Sequence, residues 1–302
     1  MTPADHHRLL HQLCDALGLD GVATWRRTGR LTVDGLELAL AFDVPNAADC
    51  LQVRLDLGTA AAHEREWLWY RLLVSNYEWG ADGRLCWSLT PGDNRTVLTA
   101  QHPFDALNTG VEVAQWLRQL VVCAPAHWQA LRSRHAMGDL PSLAVLRRVS
   151  RAAPPGPDPW GALMRAVCER AGLDPQTELL QGAGSLRVDG VDMLLRRDAA
   201  TPDRFEVHLD LGMEALASRE RLWQGLLWNN HVMGASERLS FSAHPLHDAV
   251  VLSLQQDMPE QACAIEFTGL LHALAARAKA FWGDTREALS RGEAAVRARR
   301  RV

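Results

Sequence analysis

The chain has almost no lysine, almost no tyrosine and no long apolar run. Lys279 is the only lysine among 32 basic residues, and Tyr70 and Tyr77 are the only tyrosines. No segment approaches the ~20 apolar residues that a membrane-spanning helix needs, and residues 1–14 lack the basic start and apolar stretch of a signal peptide. We therefore expect no membrane partner and a cytoplasmic location.

Paired cysteines are also missing. Six cysteines lie singly in mostly apolar segments: Cys14, Cys50, Cys86, Cys123, Cys168 and Cys263. Without a CxxC pair or close spacing, the sequence indicates neither a zinc site nor a disulfide framework. Buried cysteine behaves as a small apolar side chain, so we expect reduced core thiols.

The charge balance argues against a nucleic-acid partner. The formal net charge is -4, with 47% hydrophobic and 23% charged residues, which is the mix of a chain that buries a core. A local cluster of arginines at positions 297 and 299–301 is expected to be a solvated end.

The sequence repeats itself at an offset of 154 residues. LQVRLDLG at 51–58 aligns with FEVHLDLG at 205–212, and REWLWYRLLVSN at 65–76 aligns with RERLWQGLLWNN at 219–230. The register then holds without a gap to Trp128 and Trp282. A repeat of this length predicts two domains of one fold.

Proline punctuates the chain between the copies. RAAPPGPDP at 151–159 cannot continue a helix or join a central strand. We predict a first domain over residues 1–132, a proline-rich linker over 133–158, a second domain over 159–290 and an arginine-rich tail over 291–302.

Each copy has the pattern α-β-β-β-α-β-β-α. In the first copy we predict a helix over 3–17 that ends at Gly18, then a weak extended pair of 22–25 with 31–33 and strands over 36–42 and 51–57. A helix to Asn76, a hairpin of 85–89 with 96–100, and a last helix ending near Trp128 follow. In the second copy the first helix covers 159–171, the middle helix ends at Asn230 and the last ends near Trp282. The Asp-Gly dipeptides at 34–35 and 189–190 are strong hairpin signals. The fold class is therefore α+β, an antiparallel sheet covered by helices in each copy, and the alternation over 51–57 predicts one wet strand face.

The middle helix carries apolar side chains on two faces. Leu68, Trp69, Leu72 and Leu73 form one stripe, which is matched in the second copy and is expected to pack on the domain's own sheet. The opposite face is expected to join the two copies as an intramolecular pseudo-dimer in a monomeric chain. The predicted interface residues are Trp67, Tyr70, Val74, Gln224 and Trp228. A crowded single-domain core is the alternative.

These patterns resemble the class I type III secretion chaperone family, of the Tir-chaperone type. The likeness is carried by the order of elements, the DLG at 56–58 and 210–212, the LLVSN and LLWNN segments at 72–76 and 226–230, and the tryptophans near the end of the last helices. It covers nearly all of both copies. The resemblance implies five strands and three helices in each unit, pairing through the middle helix, and binding of an extended amino-terminal segment of an effector.

Two departures from that family stand out. Its members are usually single-domain and distinctly acidic homodimers, whereas this chain is fused and only mildly acidic. The fusion leaves open whether both copies bind an effector.

Catalytic and metal-binding patterns are weak. His7 and His11 could share a metal but have no third ligand, and His244 and His247 flank a predicted turn. Asp56, Asp210, Glu66 and Glu220 repeat between the copies, yet as surface positions rather than as an acid pair, and GAG at 182–184 lacks a dinucleotide loop's third glycine. We therefore expect no catalytic residues, no metal and no cofactor.

The function that the sequence favours is binding a secreted effector and keeping it soluble, with the secretion ATPase as a further candidate partner. An extended segment would add to exposed sheet edges and fill grooves between the first helix and the sheet. The predicted partner-binding residues are Trp25, Leu31, Val33, Leu36, Leu38, Leu186, Val188, Val191 and Met193; a core role for them is the alternative. A regulatory protein of the same fold that binds a folded regulator is the second hypothesis, and an enzyme of unknown type the third.

Overall fold

A computed structural model describes eleven segments of the chain. These are residues 3–19, 28–41, 50–79, 85–103, 109–133, 159–171, 183–197, 204–212, 218–233, 239–257 and 264–291. Trp25 with the rest of the segment 22–25, Cys263, the linker residues 134–158 and the arginines at 297 and 299–301 lie outside them, so the predictions made for these residues stay predictions.

Two units with the same order of elements follow each other along the chain. The first consists of α1 (Pro3–Leu17), β1 (Arg30–Val33), β2 (Leu36–Ala41), β3 (Cys50–Thr59), α2 (Arg65–Trp79), β4 (Leu85–Leu89), β5 (Arg95–Pro103) and α3 (Gly110–Arg132). The second consists of α4 (Pro159–Ala171), β6 (Ala183–Val188), β7 (Val191–Arg197), β8 (Arg204–Asp210), α5 (Arg219–Met233), β9 (Leu239–Ala243), β10 (Val250–Asp257) and α6 (Ala264–Ser290). The predicted α+β fold with two antiparallel sheets is confirmed.

The two sheets have matching strand orders. They run β1-β2-β3-β5-β4 and β6-β7-β8-β10-β9, and every neighbouring pair is antiparallel. Each first hairpin turns at an Asp-Gly pair with positive φ at both residues, 47° and 82° at Asp34 and Gly35, and 51° and 75° at Asp189 and Gly190. A two-residue hairpin turn requires these left-handed angles, which explains the repeated dipeptide.

Helices cover one face of each sheet. In the second unit the ring of Phe205 on β8 lies 6.2 Å from Trp160 of α4 and 5.0 Å from Phe267 of α6. In the first unit Trp87 of β4 lies 6.2 Å from Trp128 of α3. Aromatic residues of the strands therefore pack in the core against α3 in the first unit and against α4 and α6 in the second. No helix in the described parts of the chain is both long and apolar enough to cross a membrane.

The predicted wet face of β3 is wrong for most of the strand, since of Gln52, Arg54 and Asp56 only Asp56 is exposed. Gln52 is 2% exposed and Arg54 is half-buried, and in β8 the equivalent Glu206 and His208 are 3% and 4% exposed. Alternation of polar and apolar residues predicts two different faces, but it does not say that the polar face is open to water. Here elements of the sister unit cover part of it.

Four helix ends also differ from the prediction, and one of them is that of α3, which continues past Trp128 to Arg132. The middle helices extend to Trp79 and Met233, three residues beyond the predicted ends at Asn76 and Asn230. The side-chain amides of these asparagines do not end the helices but bond to a neighbouring strand. The helix α6 continues past Trp282 to Ser290, where Thr285 and Ala288 are still buried. Its last two turns therefore remain packed against the protein.

Candidate interface between the units and candidate partner-binding edges

The middle helices α2 and α5 pack against each other. Each also contacts a strand of the other unit, α2 on β9 and α5 on β4. At the helix crossing the ring of Tyr70 lies 5.5 Å from that of Trp223. Apolar residues on a second face of a helix need a cover, and here the sister unit provides it.

Helix side chains also hydrogen-bond to the sister unit's hairpin turn. The Nε2 of Gln224 and the Nε1 of Trp228 both donate to Oδ1 of Asn94, at 2.8 and 2.9 Å. At the equivalent place in the other half, the hydroxyl of Tyr70 bonds to Asp248, and burial together with this carboxylate raises the pKa of Tyr70. The two acceptors, Asn94 and Asp248, occupy repeat-equivalent positions, which makes the interface pseudo-symmetric.

The remaining predicted interface residues, Trp67 and Val74, lie on α2. Val74 is 2% exposed. Trp67 is partly buried, and the guanidinium carbon of Arg71 lies 5.6 Å from its ring centroid. Tyr70, Gln224 and Trp228 thus lie at contacts between the units, while a contact of Trp67 or Val74 with the second unit stays a prediction.

Histidines line the interface, a feature that sequence reasoning missed. The Nδ1 of His231 lies 3.3 Å from the hydroxyl of Ser88, and burial together with nearby Arg54 lowers the pKa of His231 to about 4. At the equivalent place the ring of Tyr77 lies 5.6 Å from His208. The imidazoles are therefore neutral at pH 7.

His208 belongs to a buried polar row on the second sheet. Its Nδ1 lies 2.8 Å from the hydroxyl of Ser253, and its Nε2 lies 3.9 Å from a carboxylate oxygen of Glu206. Burial, followed by the charge of Arg196, lowers the pKa of His208 to about 4. The order serine, histidine, carboxylate resembles a nucleophilic triad. Because Ser253, His208 and Glu206 are 2%, 4% and 3% exposed, a substrate cannot reach this row in the observed arrangement.

Two asparagine amides bond to β4 and β9, the last strand of each sheet. We call these the inner strands, because they contact the sister unit, and we call β1 and β6, at the opposite edges, the outer strands. Oδ1 of Asn76 accepts from the N–H of Trp87 at 2.7 Å, and its Nδ2 donates to the carbonyl of Trp87 at 2.9 Å. Asn230 makes the same pair with Phe241, at 2.6 and 2.8 Å. Its Nδ2 also lies 3.5 Å from the carbonyl of Trp87 in the other unit. The amides thus join helix, strand and sister unit.

Among the residues that the structure describes, the outer strands β1 and β6 are paired on one side only. Among the described residues β1 pairs only with β2, and β6 only with β7. Along β1 the side chains of Arg30 and Thr32 are exposed, as are those of Ser185 and Arg187 along β6. Exposed strand edges of this kind are templates for pairing with another extended chain.

Most predicted partner-binding residues lie in the core of this structure. Those that are buried are Leu31, Val33, Leu38, Leu186, Val191 and Met193. Leu36 and Val188 are partly buried and pack against the core, and Trp25 lies outside the described residues. Their positions therefore agree with the alternative, in which these residues belong to the core. A role in contact with a partner stays a prediction.

The repeated DLG segments have a structural explanation. A carboxylate oxygen of Asp56 accepts from the N–H of Gly58 at 2.9 Å, and Asp210 does the same for Gly212 at 2.7 Å. Both glycines have positive φ, 88° and 79°. The aspartates therefore hold the turn that leaves each central strand, since such Asx turns favour a following glycine.

The histidine pairs identified in the sequence lie at the surface. The rings of His7 and His11 lie 4.5 Å apart, and those of His244 and His247 are stacked at 4.8 Å at the tip of the β9–β10 hairpin. In the parts of the chain that the structure covers, no group of three histidine, cysteine or acidic residues could hold a metal ion. The five described cysteines are free thiols, and Cys14, Cys86 and Cys168 are buried.

No protein-family model matches the chain, and no curated protein sequence matches it. One solved structure with local similarity is the crystal structure of the ExsC–ExsE complex. It is 24% identical over 40% of this chain and 89% of that chain, with a TM-score of 0.33. A likeness this slight carries no conclusion about function.

Proposed function

We propose that the chain is a type III secretion chaperone without catalytic activity. It acts in the cytoplasm, binds an extended amino-terminal segment of an effector protein, and keeps that segment soluble and ready for secretion. It works as a single chain, because its two units supply to each other the interface that a second subunit would otherwise supply.

The observation that carries the proposal is the difference between the two edges of each sheet. In both units the inner edge is covered by an asparagine amide and by the sister unit, whereas the outer edge has no neighbouring strand among the described residues. An extended segment can hydrogen-bond its backbone to such an edge, and the side chains beside the edge then select its sequence.

The hairpin register shows which backbone groups are available. Val33 and Leu36 flank the two-residue turn and bond to each other, so the next pair, Thr32 and Glu37, turns its N–H and C=O groups away from the partner strand. In the second unit Arg187 has the same place opposite Asp192. Thr32 and Arg187 thus offer outward main-chain donors at equivalent positions.

Co-expression with effectors encoded by neighbouring genes tests the proposal. A soluble complex should co-purify, and limited proteolysis should shorten the effector to an amino-terminal peptide that stays bound. A folded effector domain that resists proteolysis in the complex would instead support a regulatory protein that binds a folded partner.

Proline substitutions locate the binding. Thr32→Pro and Arg187→Pro remove the outward N–H at an edge, where proline is tolerated in a sheet. Each should weaken effector binding about tenfold or more if strand addition occurs there. The matched controls Thr32→Val and Arg187→Thr keep the N–H and should bind normally. Unchanged binding by the double proline variant would rule out strand addition at these edges.

A further inference from the structure

We propose that Asn76 and Asn230 close the inner edges of the two sheets, so that, among the described strands, only β1 and β6 keep an edge that can accept an added strand. Both asparagines stand at one repeat position, and the proposed function uses them only to distinguish the covered edge from the outer one, without saying why an asparagine is needed there. Only the identity of the added strand rests on that function. The closure itself is a property of the chain alone.

The hydrogen bonds match what a neighbouring strand would make. Trp87 stands opposite Leu98 of β5, and both its N–H and its C=O bond to the Asn76 amide. These two groups therefore point away from β5, towards the open side of β4. A carboxamide has one donor and one acceptor spaced like those of a peptide, so it can occupy the place of an adjacent backbone. Asn230 does the same for Phe241, opposite Leu252 of β10.

Burial makes these bonds necessary. Asn76 and Asn230 are each 1% exposed, and Trp87 and Phe241 are 0% exposed. Water cannot replace a partner at such a site, and a buried peptide group without one is strongly unfavourable. The amides are thus the groups that satisfy the middle of each inner strand.

The pattern of divergence between the units points to the same role. Neighbouring positions on the helices differ, with Val74 against Trp228 and Tyr77 against His231, while asparagine stands at 76 and 230. The retained packing positions of these helices are apolar, as Leu72 and Leu73 are against Leu226 and Leu227. A retained asparagine is explained instead by the need for one donor and one acceptor at a fixed distance.

The two closures lie next to each other in the interface. The carbonyl of Trp87 lies 2.9 Å from Nδ2 of Asn76 and 3.5 Å from Nδ2 of Asn230. One amide therefore reaches its own strand and the strand of the sister unit. Opening the interface would uncover two adjacent sheet edges together, and such edges pair with other chains.

Hydrogen–deuterium exchange of the unmodified protein gives the first test. The amides of Trp87 and Phe241 should exchange as slowly as those of central strands, although β4 and β9 are the last strands of their sheets. The outward amides of Thr32 and Arg187 should exchange fast in the absence of a partner. Fast exchange at Trp87 and Phe241 would overturn the proposal without any mutation.

Substitution gives the second test. In Asn76→Leu and Asn230→Leu the volume is retained and both hydrogen bonds are lost, so exchange at Trp87 or Phe241 should rise about 10- to 100-fold. The double variant should also form concentration-dependent dimers and larger species by light scattering, where the unmodified chain stays single.

The controls are the adjacent helix positions. Ser75→Ala and Asn229→Leu also remove buried polar groups, but groups without a bond to the strand among the described residues. They should leave exchange at Trp87 and Phe241 and the single-chain mass unchanged. If Asn76→Leu and Asn230→Leu behave like these controls, the edge closure is wrong. If they fail to fold, the exchange pattern of the unmodified chain decides. Because no effector is present in either test, failure here is distinct from failure to bind one.

Discussion

The tips of the two inner hairpins show how the units differ. The first carries Thr90, Asp93 and Arg95, where Thr90 bonds to Asp93 and Arg95 pairs with Asp56. The second carries the stacked imidazoles of His244 and His247 at two of these positions. Both nevertheless place a residue with left-handed φ next in the turn, 55° at Asn94 and 52° at Asp248.

That contrast separates two kinds of position. Residues that set backbone geometry or bond to the backbone are retained in both units, as at the Asp-Gly turns, the DLG segments and the paired asparagines. Several residues around them have changed, even where they meet the sister unit, as at Tyr70 and Gln224. The comparison therefore predicts which substitutions affect both units alike and which affect one.

The largest effect is expected from truncating a core aromatic residue next to the interface. Trp87 is fully buried and lies 5.8 Å from Trp79. Trp87→Ala should lower the free energy of unfolding by about 3–5 kcal/mol, and Phe241→Ala in the second unit by a similar amount. Urea denaturation should show one transition in both variants, since the units share an interface. Val122→Ala, at a site 66% exposed, should change stability by less than about 0.5 kcal/mol. Two separate transitions would show that the units unfold independently.

Acid should destabilise the second unit through His208. The pKa of His208 is about 4 in the folded chain and about 6.5 when unfolded, so the unfolded state binds more protons between these values. Stability should therefore fall as pH falls from about 6.5 to 4, by about 3 kcal/mol from this residue. The first unit has Arg54 at the equivalent position, which does not titrate in this range. In urea titrations at several pH values, His208→Gln should remove the contribution of His208 to the loss of stability. The contribution of His231 should remain. A variant with the full loss would contradict the assignment.

A close helix contact distinguishes the first unit. A Cβ on Gly110 would lie 2.4 Å from Cβ of Gln12 and 2.5 Å from its carbonyl carbon. Gly110→Ala should therefore force α1 and α3 apart and destabilise the chain by about 1–3 kcal/mol. The second unit has Ala264 at this place, and Ala264→Gly should cost about 1 kcal/mol or less. Thermal unfolding measures both, and equal effects would mean that the two helix pairs pack alike.

The smallest expected effect concerns one hydrogen bond between the units. Tyr70→Phe removes the bond to Asp248 but leaves the ring against Trp223. Because Asp248 keeps an ion pair with Arg219, the loss should be about 0.5–1.5 kcal/mol. Gln224→Met tests the equivalent position, where Trp228 still donates to Asn94. Urea denaturation of the double variant should give the sum of the two effects, and a clear departure from additivity would show that the two halves are coupled.

Much of the fold could be predicted from the repeat, because each element had to fit two sequences at once. The first helices match their predicted bounds, and the Asp-Gly pairs fix both first hairpins. The middle helix was also expected to carry two apolar faces, and the second face contacts the sister unit through Tyr70 and Trp228.

The candidate site was less predictable. Alternation in a four-residue strand such as β1 separates Leu31 and Val33 from Arg30 and Thr32, but it does not say which side meets a partner. The edge of a strand is made of backbone, which the sequence does not display. Likewise, the sequence predicts a helix end at Asn76. The bond of Asn76 to Trp87 could not be predicted, because it joins two residues whose relative orientation only the fold defines.

The unlike faces of the two units also define a direction. A two-fold symmetric dimer presents the same surface twice, so a polypeptide that runs across both subunits binds equally well in either orientation. Here the outer strands present Arg30 and Thr32 in one unit but Ser185 and Arg187 in the other. A polypeptide spanning both would therefore bind with one polarity, its amino end at one unit and its carboxyl end at the other.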